Sequence, residues 1–275
     1  MAEAAPEDWI GRTRSVADPM DPFAANALIA TLELERPRLR AGDPLPPFWH
    51  WLHFHEAARA SALGPDGHPA PGGFMPAVAE PRRMWAGGRL TMHRPLPLGA
   101  PARRRSTIAR VARKTGRSGP LTFVTVETVI EGADGPCLTE EQDIVYRTDP
   151  PPGVPRPAPE PAPGGAAQRR DWAFGPVALF RYSALTFNGH RIHYDADYAR
   201  EVEGYPGLVV HGPLLATLLL ELATEIAGAP RRFDFRARAP VFAGETFAAC
   251  AEEGGGRLWV AGADGRLAMT AEAGW

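Results

Sequence analysis

The chain has 275 residues, 44% of them hydrophobic, and a formal net charge of −2, which suits one large or two modest folded domains with a sizeable core. That near-neutral balance gives no electrostatic case for nucleic acid, and neither RNA-binding nor zinc-finger spacing occurs. The longest apolar run, residues 214–222, is broken by Thr217 and Glu221 and is well short of the roughly 20 residues that span a bilayer. No membrane association is expected. The acidic start, without a basic region and apolar run, does not read as a secretory signal, so the cytoplasm is the expected compartment. Cys137 and Cys250 lie far apart and outside any C-x-x-C pattern, so no disulfide framework is implied.

In chain order, Asp21-Pro22 followed by helical spacing predicts a helix over 21–34. Residues 45–58 are expected to be a degenerate counterpart of a central helix. They hold His50, His53 and His55 interleaved with Trp51, Leu52 and Phe54, a buried amphipathic pattern without the H-E-x-x-H spacing of a metal site. No metal is expected here or at His190-x-x-His193. Alternating apolar residues predict strands at 104–111, 121–131 and 140–147.

Residues 149–167 are proline-rich and read as a linker. In a polyproline II path of about 3.1 Å per residue it reaches on the order of 50 Å. It divides the chain into 1–148 and 168–275. In the second part Pro213 opens a helix that is apolar on nearly every face and ends at Gly228, so it must be buried. Strands are predicted at 246–252, 257–262 and 266–272. Residues 89–99 and 234–244 echo each other, Pro95 matching Pro240 and Gly99 matching Gly244. Each part therefore combines helix and antiparallel meander, an α+β chain built on a duplicated unit.

The densest chemistry lies in 180–213, FRYSALTFNGHRIHYDADYAREVEGYPGLVVHGP, with three histidines, Asn188, Asp195 and Asp197. This segment resembles the hydratase signature of MaoC-like enzymes, commonly written G-D-x-N-P-I-H. It is most similar to the branch that contains type 2 3-hydroxyacyl-thioester dehydratases and mesaconyl-C4-CoA hydratases. His193 falls on the motif histidine, Ile192 on its apolar neighbour and Asp195 on a frequent acidic residue two positions later. Asn188 stands in place of the motif aspartate, His190 in place of Asn and Arg191 in place of Pro. The stretches 45–51, 63–68, 72–76 and 81–88 resemble the first half of the same branch. The resemblance implies a double hot-dog fold, with two antiparallel sheets each wrapping a central helix. It also implies one catalytic centre, in the second half, while the first half helps form the acyl pocket.

Adding water to an enoyl thioester needs a base, a proton source and donors for the developing oxyanion. His193 is the natural base, since the unperturbed histidine pKa lies near neutrality. The Gly212 N–H, at the start of the buried helix, is aimed at the thioester oxygen. Asn188 cannot take up a proton and is expected to hold the water; the acid partner is left open. The expected substrate-binding residues are His190, Arg191, His211, Tyr182, Tyr205, Arg83 and Trp85. His211 either binds substrate or caps the helix. Arg191 pairs either with a substrate carboxylate or with Asp195 or Asp197. The Arg82-Arg83 pair suits the phosphates of coenzyme A.

The expected activity is reversible hydration of a 2-enoyl-CoA to a 3-hydroxyacyl-CoA, with a short branched dicarboxylic ester such as mesaconyl-C4-CoA or itaconyl-CoA as the expected substrate. Alternatives are a 3-hydroxyacyl-thioester dehydratase of fatty acid synthesis, a hot-dog thioesterase, and a non-catalytic acyl-CoA-binding module. No cofactor is expected beyond the coenzyme A of the substrate, and an exposed sheet edge suggests a homodimer.

Overall fold

The computed structural model describes residues 5–116, 119–148 and 158–275. Of the expected linker, residues 149–157 lie outside the described residues.

Period-two burial accounts for the strands. In β4 (Gly119–Gly132) Thr122, Val124, Val126, Thr128 and Ile130 are buried while their odd-numbered neighbours, apart from Thr125, are more open. The first half contains β1 (Thr13–Asp18), α1 (Pro22–Leu32), β2 (Arg82–Met92), β3 (Ala102–Gly116), β4 and β5 (Gly135–Arg147). The second contains β6 (Gln168–Ala173), α2 (Pro176–Leu185), α3 (Gly212–Ala227), β7 (Arg232–Ala237), β8 (Thr246–Ala251), β9 (Arg257–Ala261) and β10 (Leu267–Gly274). Asp21 caps α1 as predicted, its carboxylate accepting from the Phe23 N–H.

The strands form one 10-stranded sheet ordered β1-β3-β4-β5-β2-β7-β10-β9-β8-β6. Every pairing is antiparallel. Each half places its strands in the same order, and the halves meet edge to edge at β2 and β7. The sequence echo falls on that joint. The Gly99 N–H donates to the Met20 carbonyl at 2.7 Å and the Gly244 N–H to the Phe174 carbonyl at 3.0 Å, at matching positions before α1 and α2. Both glycines have left-handed φ, 74° and 85°, which explains why the residue recurs.

A second matched pair of bonds shows where the halves diverge. The Leu45 N–H donates to Leu96 O and the Val210 N–H to Val241 O, both at 2.8 Å. After Val210 the chain enters α3, in which Leu214, Leu215, Ala216, Leu218, Leu219 and Leu220 are at most 3% exposed. After Leu45 it does not form the helix expected over 45–58. Pro46-Pro47 removes two N–H donors and Phe48 is left-handed at φ 71°, so only a single 3-10 turn, Trp49–Leu52, forms. Phe48, Trp49, Leu52 and Phe54 still fill the core, at 1–2% exposure.

Without a long helix here, residues 53–81 are free to run across to the second half. Buried Glu221 of α3 pairs with Arg36, a second tie between the halves. Among the described residues, no helix is long and apolar enough to cross a membrane, and Cys137 and Cys250 are free thiols.

Candidate active site

The segment between α2 and α3 is shaped by its own backbone bonds. Phe187 adopts φ 50°, and the Asn188 N–H returns to Ser183 O at 2.8 Å, so the chain leaves α2 sharply. Asn188 Oδ1 then accepts the His190 N–H at 3.0 Å, closing a turn. The bond uses one lone pair of Oδ1 and leaves the side-chain NH2 uncommitted among the described residues. A 3-10 turn, Arg191–His193, follows, and the Val209 N–H bonds Ile192 O at 2.9 Å.

His193 is 7% exposed, and its Nδ1 lies 2.8 Å from the Val209 carbonyl. A carbonyl only accepts, so Nδ1 carries the hydrogen and Nε2 is left with a free lone pair. Burial, together with charge on His68, lowers the His193 pKa to about 4 despite the Val209 bond. The result is an imidazole that is neutral at pH 7. His211 stacks on it, ring centroids 3.6 Å apart and planes 18° off parallel. His211 is fully buried, 2.8 Å from Ser183 Oγ, and held neutral by burial and by its neighbours His193 and His190. It is also the residue before α3, and its carbonyl accepts from Leu215.

Gly212 begins α3. Its N–H has no backbone acceptor among the described residues, and the positive end of the helix dipole lies behind it. A Cβ on Gly212 would lie 2.7 Å from the Trp85 indole, so β2 packs directly on the helix start. Trp85 stacks on Phe235 at 4.8 Å and meets Trp51 edge-on at 5.7 Å. Arg83, two residues along β2, projects from the same face as Trp85. It is partly buried and has no hydrogen bond or ion pair among the described residues. Its charge disfavours protonation of His68 and His190, which places it beside them.

The remaining expected binding residues separate by position. His190 sits 5.4 Å from His193, edge to face, with its pKa lowered to about 2, first by burial and then by neighbouring histidines. Of the two roles open to Arg191, the structure shows the ion pair with Asp195, at 3.0 and 2.7 Å, with a further bond to Pro65 O at 3.1 Å, rather than a guanidinium left for substrate. Tyr182 is only 2% exposed and packs its ring against His211 at 4.8 Å, beneath the site rather than at its mouth. Tyr205 joins Phe242 in the cluster behind Ile192 and Val209.

Sequence reading did not anticipate the contribution of residues 63–70 from the first half. Asp66 Oδ2 is 2.9 Å from His68 Nδ1, and the His68 and His190 ring centroids are 4.4 Å apart. Asp66 O accepts the Arg191 N–H at 2.9 Å. Half of the chain's eight histidines thus converge: His68, His190, His193 and His211. The donor atoms of Asp66, His68 and His190 all lie within 4.8 Å of one another, but Asp66 and His68 already satisfy each other.

The loop docks through glycine. Gly67 has φ +89°, and a Cβ there would lie 1.9 Å from the Gly189 carbonyl oxygen. Gly67→Ala is therefore expected to displace the loop by about an ångström and lower kcat/KM on the order of 10²-fold, with the far-UV circular dichroism unchanged. Activity within threefold of wild type would show that the loop's seating is unimportant.

The family model described as "Hydroxyacyl-thioester dehydratase type 2" matches residues 48–243. The chain belongs to the type 2 hydroxyacyl-thioester dehydratase family. As a member it is a hydro-lyase acting on acyl thioesters. A mesaconyl-C(4)-CoA hydratase from Chloroflexus aurantiacus is 49% identical over 269 residues, covering 96% of this chain and 95% of that protein. Two solved structures show the fold: a MaoC-like dehydratase from Phytophthora capsici (17% identity, TM-score 0.69, 98% of each chain) and a Mycobacterium tuberculosis protein with a double hot-dog fold (15% identity, TM-score 0.59, 96% of this chain and 95% of that one). This family member is likewise a double hot dog, of which only the second half keeps a long central helix.

Proposed function

We propose that this enzyme reversibly hydrates a short dicarboxylic 2-enoyl-CoA, in the manner of the mesaconyl-C(4)-CoA hydratase it is similar to. The observation that carries the chemistry is the neutral, buried His193, pinned through Nδ1 so that Nε2 is the free acceptor. Nε2 takes a proton from water as the C–O bond forms at the β-carbon. The π pair moves onto the thioester oxygen, held at the Gly212 N–H, and the enolate then takes the proton from His193 at the α-carbon. A lowered pKa serves both halves of the cycle, giving a neutral base at rest and a strong acid once protonated. The net addition is redox-neutral, and no cofactor beyond the coenzyme A of the substrate enters it.

Two features support a short acid with a free carboxylate. Phe48, Trp51, Trp85 and Phe235 form a contiguous aromatic wall beside Gly212, to which we assign the acyl group. In a mesaconyl-C4 ester the free carboxylate sits on the β-carbon, where water attacks, so its reader must lie close to the catalytic histidines. Arg83 is a cation there without an ion pair among the described residues, whereas Arg191 is already occupied by Asp195. We assign Arg83 to the carboxylate, with 1–148 and 168–275 as the two repeats of a cytoplasmic enzyme that pairs with a second copy.

Loss of enoyl-thioester absorbance with mesaconyl-C4-CoA and crotonyl-CoA tests this. Arg83→Met is expected to lower kcat/KM on the dicarboxylic ester by on the order of 10² or more, because truncating one partner of a buried charge pair costs about 2–5 kcal/mol. Crotonyl-CoA should change less than threefold. Equal losses on both would assign Arg83 to the coenzyme, and release of free CoA would indicate a thioesterase.

A further inference from the structure

Asn188 occupies the place of the motif acid, cannot accept a proton, and has its oxygen engaged by the His190 N–H. The other imidazole of the signature near His193 is His190, whose ring has no hydrogen bond among the described residues to fix which nitrogen accepts. The first half brings a further imidazole to the same place. Residues 63–70 form a tight loop, Gly64 N–H bonding His68 O at 2.7 Å and the His68 N–H bonding Asp66 Oδ1 at 3.0 Å. The loop is held against the catalytic turn by Asp66 O, Pro65 O and the Gly67–Gly189 contact.

Within it, Asp66 is ionised well into acid. Burial opposes this, but the bond and charge of His68 bring its pKa to about 2. An ionised carboxylate only accepts, so His68 Nδ1 carries the hydrogen and Nε2 is a free acceptor. Burial and Arg83 hold the His68 pKa below its ordinary value, against the pull of Asp66, so the ring is neutral at pH 7. The pair therefore presents a second neutral imidazole with a fixed tautomer, one ring away from His193.

We propose that His68, oriented by Asp66, is a catalytic residue supplied by the first half: its Nε2 accepts one hydrogen of the attacking water while His193 Nε2 accepts the other. The two acceptors aim an oxygen lone pair at the β-carbon. His193 takes its proton as the C–O bond forms and passes it to the α-carbon. The hydrogen on His68 stays with oxygen and becomes that of the product hydroxyl. Asp66 is a positioning residue that keeps Nδ1 protonated. This assignment rests on the hydratase reading above and deepens it.

Asp66→Asn is nearly isosteric and leaves the main-chain bonds of the loop in place, but its amide can donate to Nδ1 and turn Nε2 into the protonated nitrogen. It is expected to lower kcat by on the order of 10²-fold or more on both mesaconyl-C4-CoA and crotonyl-CoA, with KM within about threefold. The acid limb of kcat/KM should move to lower pH, because the carboxylate no longer favours the imidazolium. His68→Ala should lose a similar factor and regain part of it with added imidazole. Asp66→Asn at near wild-type kcat with an unmoved pH profile would overturn the assignment, as would His68→Ala at near wild-type rate. If both variants are near wild type while His193→Ala is inactive, the hydratase reading stands and this inference alone fails. A wild-type enzyme inactive on both thioesters removes both.

Discussion

Replacing His193 with alanine is expected to lower kcat by roughly 10³–10⁴ on any enoyl thioester the enzyme accepts, towards the upper end of what one general acid–base group contributes. The factor is large because one nitrogen serves twice: Nε2 takes the proton from water and returns it to the α-carbon. KM should change only a few-fold, since the Gly212 N–H, the Trp85 wall and Arg83 stay in place. The Val209 carbonyl would lose its 2.8 Å partner, so His193→Gln, which retains an amide donor, is the companion variant that separates folding from chemistry. Both are read from the loss of enoyl absorbance. A His193→Ala enzyme retaining a tenth of wild-type kcat would remove His193 from the mechanism. In the wild type, a pKa of about 4 for His193 predicts that protonation of this base does not limit the rate near pH 6.5, where an ordinary histidine titrates.

The second large effect is on stability. His193, His190, His211 and His68 are all kept neutral in the folded chain, with pKa values of about 4 and about 2 for the first two and lowered values for the others. In the unfolded chain each titrates near 6.5. Below that pH the unfolded state binds more protons, so stability is full above about 6.5 and is lost as pH falls towards the folded values. For His193 alone the shift from 6.5 to about 4 corresponds to about 3 kcal/mol. The other three histidines shift in the same direction and add to this loss, against the roughly 5–15 kcal/mol of net stability of a typical domain. Asp18 and Asp66 behave oppositely. Their pKa values are depressed to about 2, so their contribution persists above about 3.9 and disappears only in stronger acid. The urea midpoint should therefore drop steeply between pH 6.5 and 5, and less steeply in His193→Ala, which has one buried histidine fewer. A midpoint constant from pH 7 to pH 5 would contradict the buried neutral cluster.

Much of the fold was readable from local pattern. Alternation located six strands, and β4 keeps its even-numbered side chains inward as the pattern implies. Asp21-Pro22 and the Pro213–Gly228 run located α1 and α3 within a residue or two. The Pro95/Pro240 and Gly99/Gly244 echo pointed to the duplication, because the turn after β2 and β7 needs left-handed backbone in both halves. Residues 45–58 were misread because helical spacing of aromatics does not outweigh two adjacent prolines and a left-handed Phe48. β1, β6 and α2 are short, and the two strands expose most of their residues, which leaves little periodic signal.

The sequence by itself determined which histidine occupies the motif position, the glycine that opens the buried helix and the duplicated architecture. Those depend on residues near one another in the chain and on hydrophobic periodicity. Tertiary structure decided what surrounds them. Only the fold shows that Arg191 is spent on Asp195 while Arg83 is left without an ion pair among the described residues, because ion pairing depends on which carboxylate lies within a few ångströms. Only the fold brings Asp66 and His68 to His190, more than a hundred residues away in the chain, since that contact requires β2 and β7 to join and the first half to give up its central helix.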